Sequence, residues 1–436
     1  MLSYSTILYI IIIFIGSASR LIIGPWYHIV NPMSILIVDG YPASWEAHLF
    51  APRYELFTSN ARHSFDFTEV QLRALVPLGL GSLVAAWTRE GYWSTAIVEI
   101  VGWVLAARGC EHIAVTMAFP RRVAVMAGLM VASSPLFASQ LWMQVFHLAE
   151  FSSMVFGVII VHQMEPDLES SAEYLLFNKK TISIIGKLTL TLWILSHMYV
   201  YQSLVVVYLM LTVQINILLK NKKIVNTIAS LVYILCICMM SYTSYLVIDK
   251  YMIEYLTSQG LDVRITGIEI SGSPLTLLQA NLGSFVNINT LYGLFSVLSN
   301  IFIKSLILTI KSYHAIVISV ICIGLVSVPN SFRVRIVVLE MLALIASGLY
   351  HTPWTSMTGY PLMYTAAAYG CDWISRGAAS IHNNMVGSSI LGPRSVYIMC
   401  MLFIMILMIG ATNADIAGYD EFAREWWRLY SETFPS

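Results

Sequence analysis

The stretch "MLSYSTILYIIIIFIGSASR", residues 1–20, sets the expected fold because it is apolar for most of its length and carries a single charged side chain. It ends in small residues, as a signal peptide does, but it lacks a positively charged start, and many similar apolar segments follow it. We therefore interpret it as the first of several membrane helices, and as one that the chain retains.

The composition of the whole chain favours the same interpretation. Of 436 residues, 58% are hydrophobic and only 11% are charged, whereas soluble domains carry roughly 25% charged residues. The sequence predicts an all-α polytopic membrane protein with about 11 to 13 transmembrane helices, each needing roughly 20 apolar residues. The 24 basic and 24 acidic residues balance, so there is no electrostatic footprint for nucleic acid.

The expected organisation is a single transmembrane domain over 1–436, placed as a multi-pass protein in the plasma (inner) membrane or the endoplasmic reticulum membrane. Three segments are long enough to hold structure outside the spans. They are a first external loop at 24–73, a second external or re-entrant loop at 248–288, and an interfacial C-terminal tail at 413–436. Two of the spans are expected near 92–107 and 121–137.

The segment "LIVDGYPASWEAHLF", residues 36–50, brings Asp39, Glu46 and His48 together just after an apolar run. Pro42 suits the first turn of a helix, and the following residues predict a short amphipathic helix on the membrane surface. Asp39 would then precede the helix N-terminus, where exposed backbone N–H groups favour a carboxylate. A carboxylate at this place can accept a proton, or it can be an ordinary solvated loop charge.

Two further groups are candidates for binding a substrate. Arg53, Arg62 and His63 follow in the same loop and can bind a phosphate group, although solvated loop charges have the same composition. The segment "QVFHLAEF" places His147 and Glu150 three residues apart and therefore on one helix face. This pair can orient an acceptor or hold a metal, or it can be a polar pair that faces the helix bundle.

Ionisable residues inside apolar segments need a partner or a cavity, because an isolated charge there is costly. Glu99, Glu340 and Asp372 are such residues. Arg376 lies one helical turn after Asp372, and the spacing predicts an ion pair between them.

The layout of these segments resembles the GT-C superfamily of polyprenyl-phosphate-sugar glycosyltransferases. That family places an acidic residue at the start of the first external loop, as Asp39 is placed here, although the usual second carboxylate is replaced by Gly40. The segment 121–163 is similar to the family's basic start, apolar span, Ser-Pro turn, acidic residue and return span. The segment "SGLYHTPWTSMTGYPLMYTAAAYG", 347–370, is similar to the late span that an aromatic–Pro pair opens beside the lipid-phosphate site.

The resemblance implies an inverting transfer of a sugar from a polyprenyl-phosphate donor, on the non-cytoplasmic side, to an acceptor that is a glycan, a lipid or a protein. Asp39 would be the base, and Glu46 is the second candidate catalytic carboxylate. The candidate substrate-binding residues are His48, Arg53, Arg62, His63, His147, Glu150, His351 and Tyr360. We expect membrane lipid as a partner and no cofactor or metal, since a monophosphate leaving group does not require one.

Two other functions remain open at this point. One is a transporter or flippase for a lipid-linked glycan or another solute, which should show internal repeats. The other is a non-catalytic subunit of a membrane complex.

Overall fold

The computed structural model describes a set of helical segments and one short hairpin. The described residues are 3–23, 37–38, 41–42, 91–134, 137, 152, 155–159, 162–163, 182–183, 186–187, 190, 208, 211–212, 299, 303, 315–350, 359–386, 392 and 394–407. Six helices have defined bounds: α1 Tyr4–Ile23, α2 Gly91–Thr116, α3 Arg121–Ala132, α4 Ala315–Ser327, α5 Asn330–Tyr350 and α6 Tyr360–Val386. Residues 394–407 are also helical.

The hairpin places Pro42 in a strand and not in the first turn of a helix, whereas the rest of the predicted amphipathic helix lies outside the described residues. Strands β1, Ile37–Val38, and β2, Tyr41–Pro42, pair antiparallel, with Val38 opposite Tyr41. The two strands are connected by residues 39–40, an Asp-Gly sequence, and this dipeptide favours a two-residue hairpin connection. Pro42 is tolerated because it lies at the end of an edge strand.

Within the part of the chain that the structure describes, no helix combines the length and the apolar character needed to cross a bilayer. This finding contradicts the prediction of a polytopic membrane protein with about 11 to 13 transmembrane helices. It likewise contradicts the interpretation of 1–20 as a membrane span and the multi-pass location in the plasma (inner) or endoplasmic reticulum membrane. The all-α part of the prediction is confirmed for the described residues, which are helical apart from the hairpin and a few turn residues.

The described helices fall short of a membrane span for different physical reasons. Helix α3 has 12 residues between its two described ends, against the roughly 20 that a span needs. The three longest helices contain ionisable residues: Glu99, Arg108 and Glu111 in α2, Arg333, Arg335 and Glu340 in α5, and Asp372 and Arg376 in α6.

Helix α6 lies at the centre of the described core and packs against α2, α3 and α4. Pro361 stands in its first turn, where a missing N–H costs nothing, and the alanines at 366–368 favour the helix. The aromatic–Pro pair Tyr360–Pro361 begins α6, but the membrane span that the resemblance implied there is contradicted. The ring of Tyr360 is fully buried against Phe137, with the ring centroids 5.0 Å apart.

Helices α4 and α6 cross with their backbones in direct contact. A Cβ atom on Gly324 would lie 1.9 Å from the carbonyl oxygen of Ala366, and one on Gly370 would lie 2.5 Å from that of Val320. Only glycine fits at these two positions, because any side chain would force the helices apart.

Helices α2 and α3 form a hairpin with a tight turn. The backbone N–H of Phe119 donates to the carbonyl of Ala114 at 3.0 Å, and that of Ala118 donates to the carbonyl of Val115 at 2.9 Å. This pair of bonds is a Schellman motif, which usually has glycine in the left-handed position. Here that position is Ala118, with φ of 59°. The expected break near residue 107 is absent, because α2 continues to Thr116.

A buried polar cluster holds α1 against α2. The Tyr9 hydroxyl donates to the Glu111 carboxylate at 2.7 Å, and Arg108 forms an ion pair with the same carboxylate. Arg108 also donates to the Ser5 hydroxyl at 2.7 Å. Since a buried carboxylate without partners would be costly, these contacts explain how Glu111 is tolerated in the core.

Candidate functional site

The carboxylate of Asp372 is the centre of the most highly charged cluster in the described part of the chain. It lies in the middle of α6 and only 1% of its side chain is exposed. The Arg376 Nε atom lies 2.8 Å from Oδ2, and the Arg122 Nε atom, from the first turn of α3, lies 2.6 Å from Oδ1. The predicted Asp372–Arg376 ion pair is therefore confirmed, and Arg122 adds a second cation.

A third group completes the surroundings of this carboxylate. The Tyr397 hydroxyl donates to Oδ1 of Asp372 at 2.8 Å, and the Arg122 guanidinium lies over the Tyr397 ring, 5.8 Å from its centroid. Burial, and then the hydrogen bond to Asp372, raise the pKa of the Tyr397 hydroxyl, so it remains a donor. A buried charge is costly unless it is paired and hydrogen-bonded, and Asp372 has two ion-pair partners, Arg122 and Arg376, and one hydrogen-bond donor, Tyr397.

A cavity of about 580 Å³ opens next to this cluster. It lies between the C-terminal half of α6, the first turn of α3 and the helical residues that start at 394. The lining residues are Arg122, Arg376, Ala379, Ser380, Asn383, Arg394, Tyr397 and Ile398. We call this cavity the arginine pocket.

The arginine pocket carries a net positive charge. Three guanidinium groups line it, those of Arg122, Arg376 and Arg394. The carboxylate of Asp372 pairs with two of them, so the net charge of the pocket is +2. Within the described ranges, Arg394 is exposed and forms no ion pair. A cavity with this charge is suited to an anion, because guanidinium groups match the oxygens of phosphate and carboxylate.

The residues predicted from the sequence to form a site lie elsewhere or outside the described residues. Those outside are Asp39, Glu46, His48, Arg53, Arg62, His63, His147, Glu150 and His351. Tyr360 is described and is fully buried in the core at the start of α6, away from the lining of the arginine pocket. The catalytic and substrate-binding roles of all these residues stay predictions.

Glu340 and Glu99, the other two ionisable residues predicted to need a partner inside apolar segments, are also buried. Both carboxylate oxygens of Glu340 are buried without a hydrogen-bond partner, and burial raises the pKa of Glu340 to about 8. Its Oε2 atom packs against Gly359, where a Cβ atom would lie 2.0 Å away. Glu99 is also buried in α2, with 1% exposure.

No motif or spacing predicts that Arg122, Arg394 and Tyr397 belong to a site. Arg122 is about 250 positions from Asp372 along the chain, and no local spacing relates the two residues. The available signal was the Asp372–Arg376 pair itself, since a charged pair within an apolar helix requires polar surroundings.

In the described ranges, His, Cys, Asp and Glu side chains form no group of three that could hold a metal ion. Comparison of the chain with family models and with curated proteins gave no match. The resemblance to the GT-C superfamily therefore stays a prediction.

Proposed function

We propose that the protein is a glycosyltransferase that moves a sugar from a polyprenyl-phosphate donor to an acceptor hydroxyl, and that the arginine pocket binds the donor phosphate. The observation that carries this proposal is the convergence of Arg122, Arg376 and Arg394 on one cavity with a single opposing carboxylate.

The chemistry of the donor explains why a cationic pocket is required. The sugar leaves a phosphate oxygen when the acceptor attacks the anomeric carbon, and the departing phosphate gains negative charge. Positive groups placed where that charge develops stabilise the transition state. The proton of the acceptor hydroxyl would go to Asp39, which lies outside the described residues.

The remaining lining of the pocket also fits this class of donor. Its volume of about 580 Å³ lies within the range of roughly 300–1,000 Å³ that small-molecule sites have. Ser380 and Asn383 are neutral hydrogen-bonding residues suited to sugar hydroxyls, whereas Ala379 and Ile398 are apolar. Cationic, neutral polar and apolar groups are the three kinds of contact that a sugar on a lipid phosphate needs.

The experiment is to incubate the purified full-length protein with radiolabelled polyprenyl-phosphate sugars and to measure release of polyprenyl phosphate. We expect Arg394→Gln to lower the rate by about 10- to 150-fold, because a charge-assisted hydrogen bond contributes roughly 1.5–3 kcal/mol. The matched control is Arg121→Gln, which removes an exposed arginine next to Arg122 that does not line the pocket, and it should leave the rate unchanged.

Two outcomes would count against the proposal in different ways. No release from any donor by the unmodified protein would refute sugar transfer. Equal rates for Arg394→Gln and Arg121→Gln would show that the arginine pocket is not the donor site, and thermal unfolding of both variants would verify that they are folded.

A further inference from the structure

The two arginines that contact Asp372 use only one edge of each guanidinium group. The Nε atom of Arg122 and the Nε atom of Arg376 make the ion pairs, at 2.6 and 2.8 Å. The terminal nitrogens of these two side chains make no hydrogen bond to the described residues, although both side chains are about half exposed and line the cavity. Each arginine is therefore held in place and still has donors for a ligand.

Arg394 differs from these two residues because its charge is not shared with a carboxylate. It approaches the same cavity from the helical residues that begin at 394, on the side that also contributes Tyr397 and Ile398. Arg122 and Arg376 together carry two positive charges, and the carboxylate of Asp372 cancels one of them. An anion bound by the terminal nitrogens of these two arginines would therefore meet a net charge of +1. Arg394 supplies a second positive charge.

We infer that the arginine pocket selects a phosphate group with two negative charges, a phosphomonoester, over a phosphodiester with one. This inference rests on the proposed function, because it assigns the phosphate to the same pocket. The net charge of the pocket matches that of a phosphomonoester dianion, so a singly charged diester leaves the charge of Arg394 uncompensated. Attraction between charges in a partly buried site grows with each added charge.

The preference has a direct consequence for sugar transfer. The donor phosphate is a diester with one negative charge. When the bond between the anomeric carbon and the phosphate oxygen breaks, its electron pair stays on that oxygen, and the polyprenyl phosphate becomes a monoester with a second charge. The acceptor oxygen bonds to the anomeric carbon and its proton passes to the base. A pocket that binds the departing phosphate more tightly than the donor lowers the barrier, because binding that increases in the transition state accelerates the reaction.

The experiment is calorimetric titration of the full-length protein with two soluble probes, phenyl phosphate and methyl phenyl phosphate. Phenyl phosphate is a monoester whose second ionisation lies near pH 6, and methyl phenyl phosphate is a diester with one charge at every pH used. At pH 8 we expect the monoester to bind at least about tenfold more tightly. At pH 5 the preference should disappear, and the lining residues that the structure describes include no histidine that could titrate in this interval.

Two variants distinguish the effect of Arg394 in the pocket from the effect of removing any positive charge near the pocket. Arg394→Gln should bring the two affinities within about twofold of each other at pH 8, whereas Arg121→Gln should retain the full preference. Retention of the preference in Arg394→Gln would contradict the role given to that residue.

The outcomes distinguish this inference from the proposed function. Equal affinities of the unmodified protein for the two probes would refute the selectivity and leave a phosphate site and sugar transfer intact. Absence of binding by either probe would refute both the selectivity and the assignment of the pocket to phosphate. A monoester preference without sugar transfer from any donor would support the selectivity and refute the proposed function.

Discussion

Replacing Gly370 with alanine adds one methyl group at the place where α4 and α6 touch, and it should destabilise the protein measurably. The new Cβ atom would lie 2.5 Å from the carbonyl oxygen of Val320 and 2.8 Å from the backbone nitrogen of Gly324. Both atoms belong to the backbone, so no change of rotamer can relieve the overlap. The helices would have to separate by roughly 1 Å to restore ordinary van der Waals contact.

The magnitude follows from two opposing effects. Alanine favours a helix over glycine by about 1 kcal/mol, whereas forcing an extra methyl group into a packed contact costs typically about 1–3 kcal/mol, and more when it moves backbone. We expect the free energy of unfolding to fall by about 2 kcal/mol for Gly370→Ala, since the overlap is with backbone on both sides.

Gly377 provides a matched control on the same helix. A Cβ atom at Gly377 meets no atom within 4 Å, so Gly377→Ala should keep only the gain from helix propensity, up to about 1 kcal/mol. Denaturant unfolding followed by circular dichroism would measure both variants. The reasoning is refuted if the two substitutions change stability by the same amount, or if Gly370→Ala is the more stable of the two.

Two other predictions concern Ala118 and Glu340. Ala118→Gly should raise the free energy of unfolding by about 1 kcal/mol, because a left-handed conformation costs an alanine roughly that much and glycine nothing; a thermal unfolding midpoint at or below that of the unmodified protein would contradict it. The pKa of Glu340 is about 8 in the folded state, above the ordinary 4.5, so the folded protein favours the protonated carboxyl. The contribution of Glu340 to the free energy of unfolding is therefore complete below pH 4.5 and is lost as the pH rises towards 8. The total loss is on the order of 5 kcal/mol at about 1.4 kcal/mol per pH unit, and unfolding titrations of Glu340→Gln should lack this slope; an unchanged slope would exclude Glu340 as its cause.

The local parts of the site could be predicted from the sequence, and the long-range parts could not. Asp372 and Arg376 are one helical turn apart, so their ion pair follows from helix geometry. Arg122 reaches the same carboxylate only because α3 packs against α6. Tyr397 and Arg394 belong to a further helical segment whose position no spacing in the sequence reveals.

For the described helices, the prediction of membrane spans was wrong for a related reason. Overall composition counts apolar residues but does not say how ionisable residues are distributed and paired. Arg108 and Glu111 interrupt the apolar character of α2, yet they form an ion pair with each other, so the helix continues through them to Thr116. Similarly, Pro42 was assigned to a helix on its own preference, whereas the preceding Asp-Gly pair favours a hairpin.

The crossing of α4 and α6 has a consequence for how a ligand would arrive. Asp372 follows Gly370 by two residues, so the contact that fixes the helix also fixes the carboxylate on which Arg122 and Arg376 are anchored. Main-chain atoms in contact leave no room for sliding or rotation, and two of the three cations are aligned before any encounter. Rapid-mixing traces for phosphate probes should therefore show one exponential phase whose rate rises linearly with probe concentration.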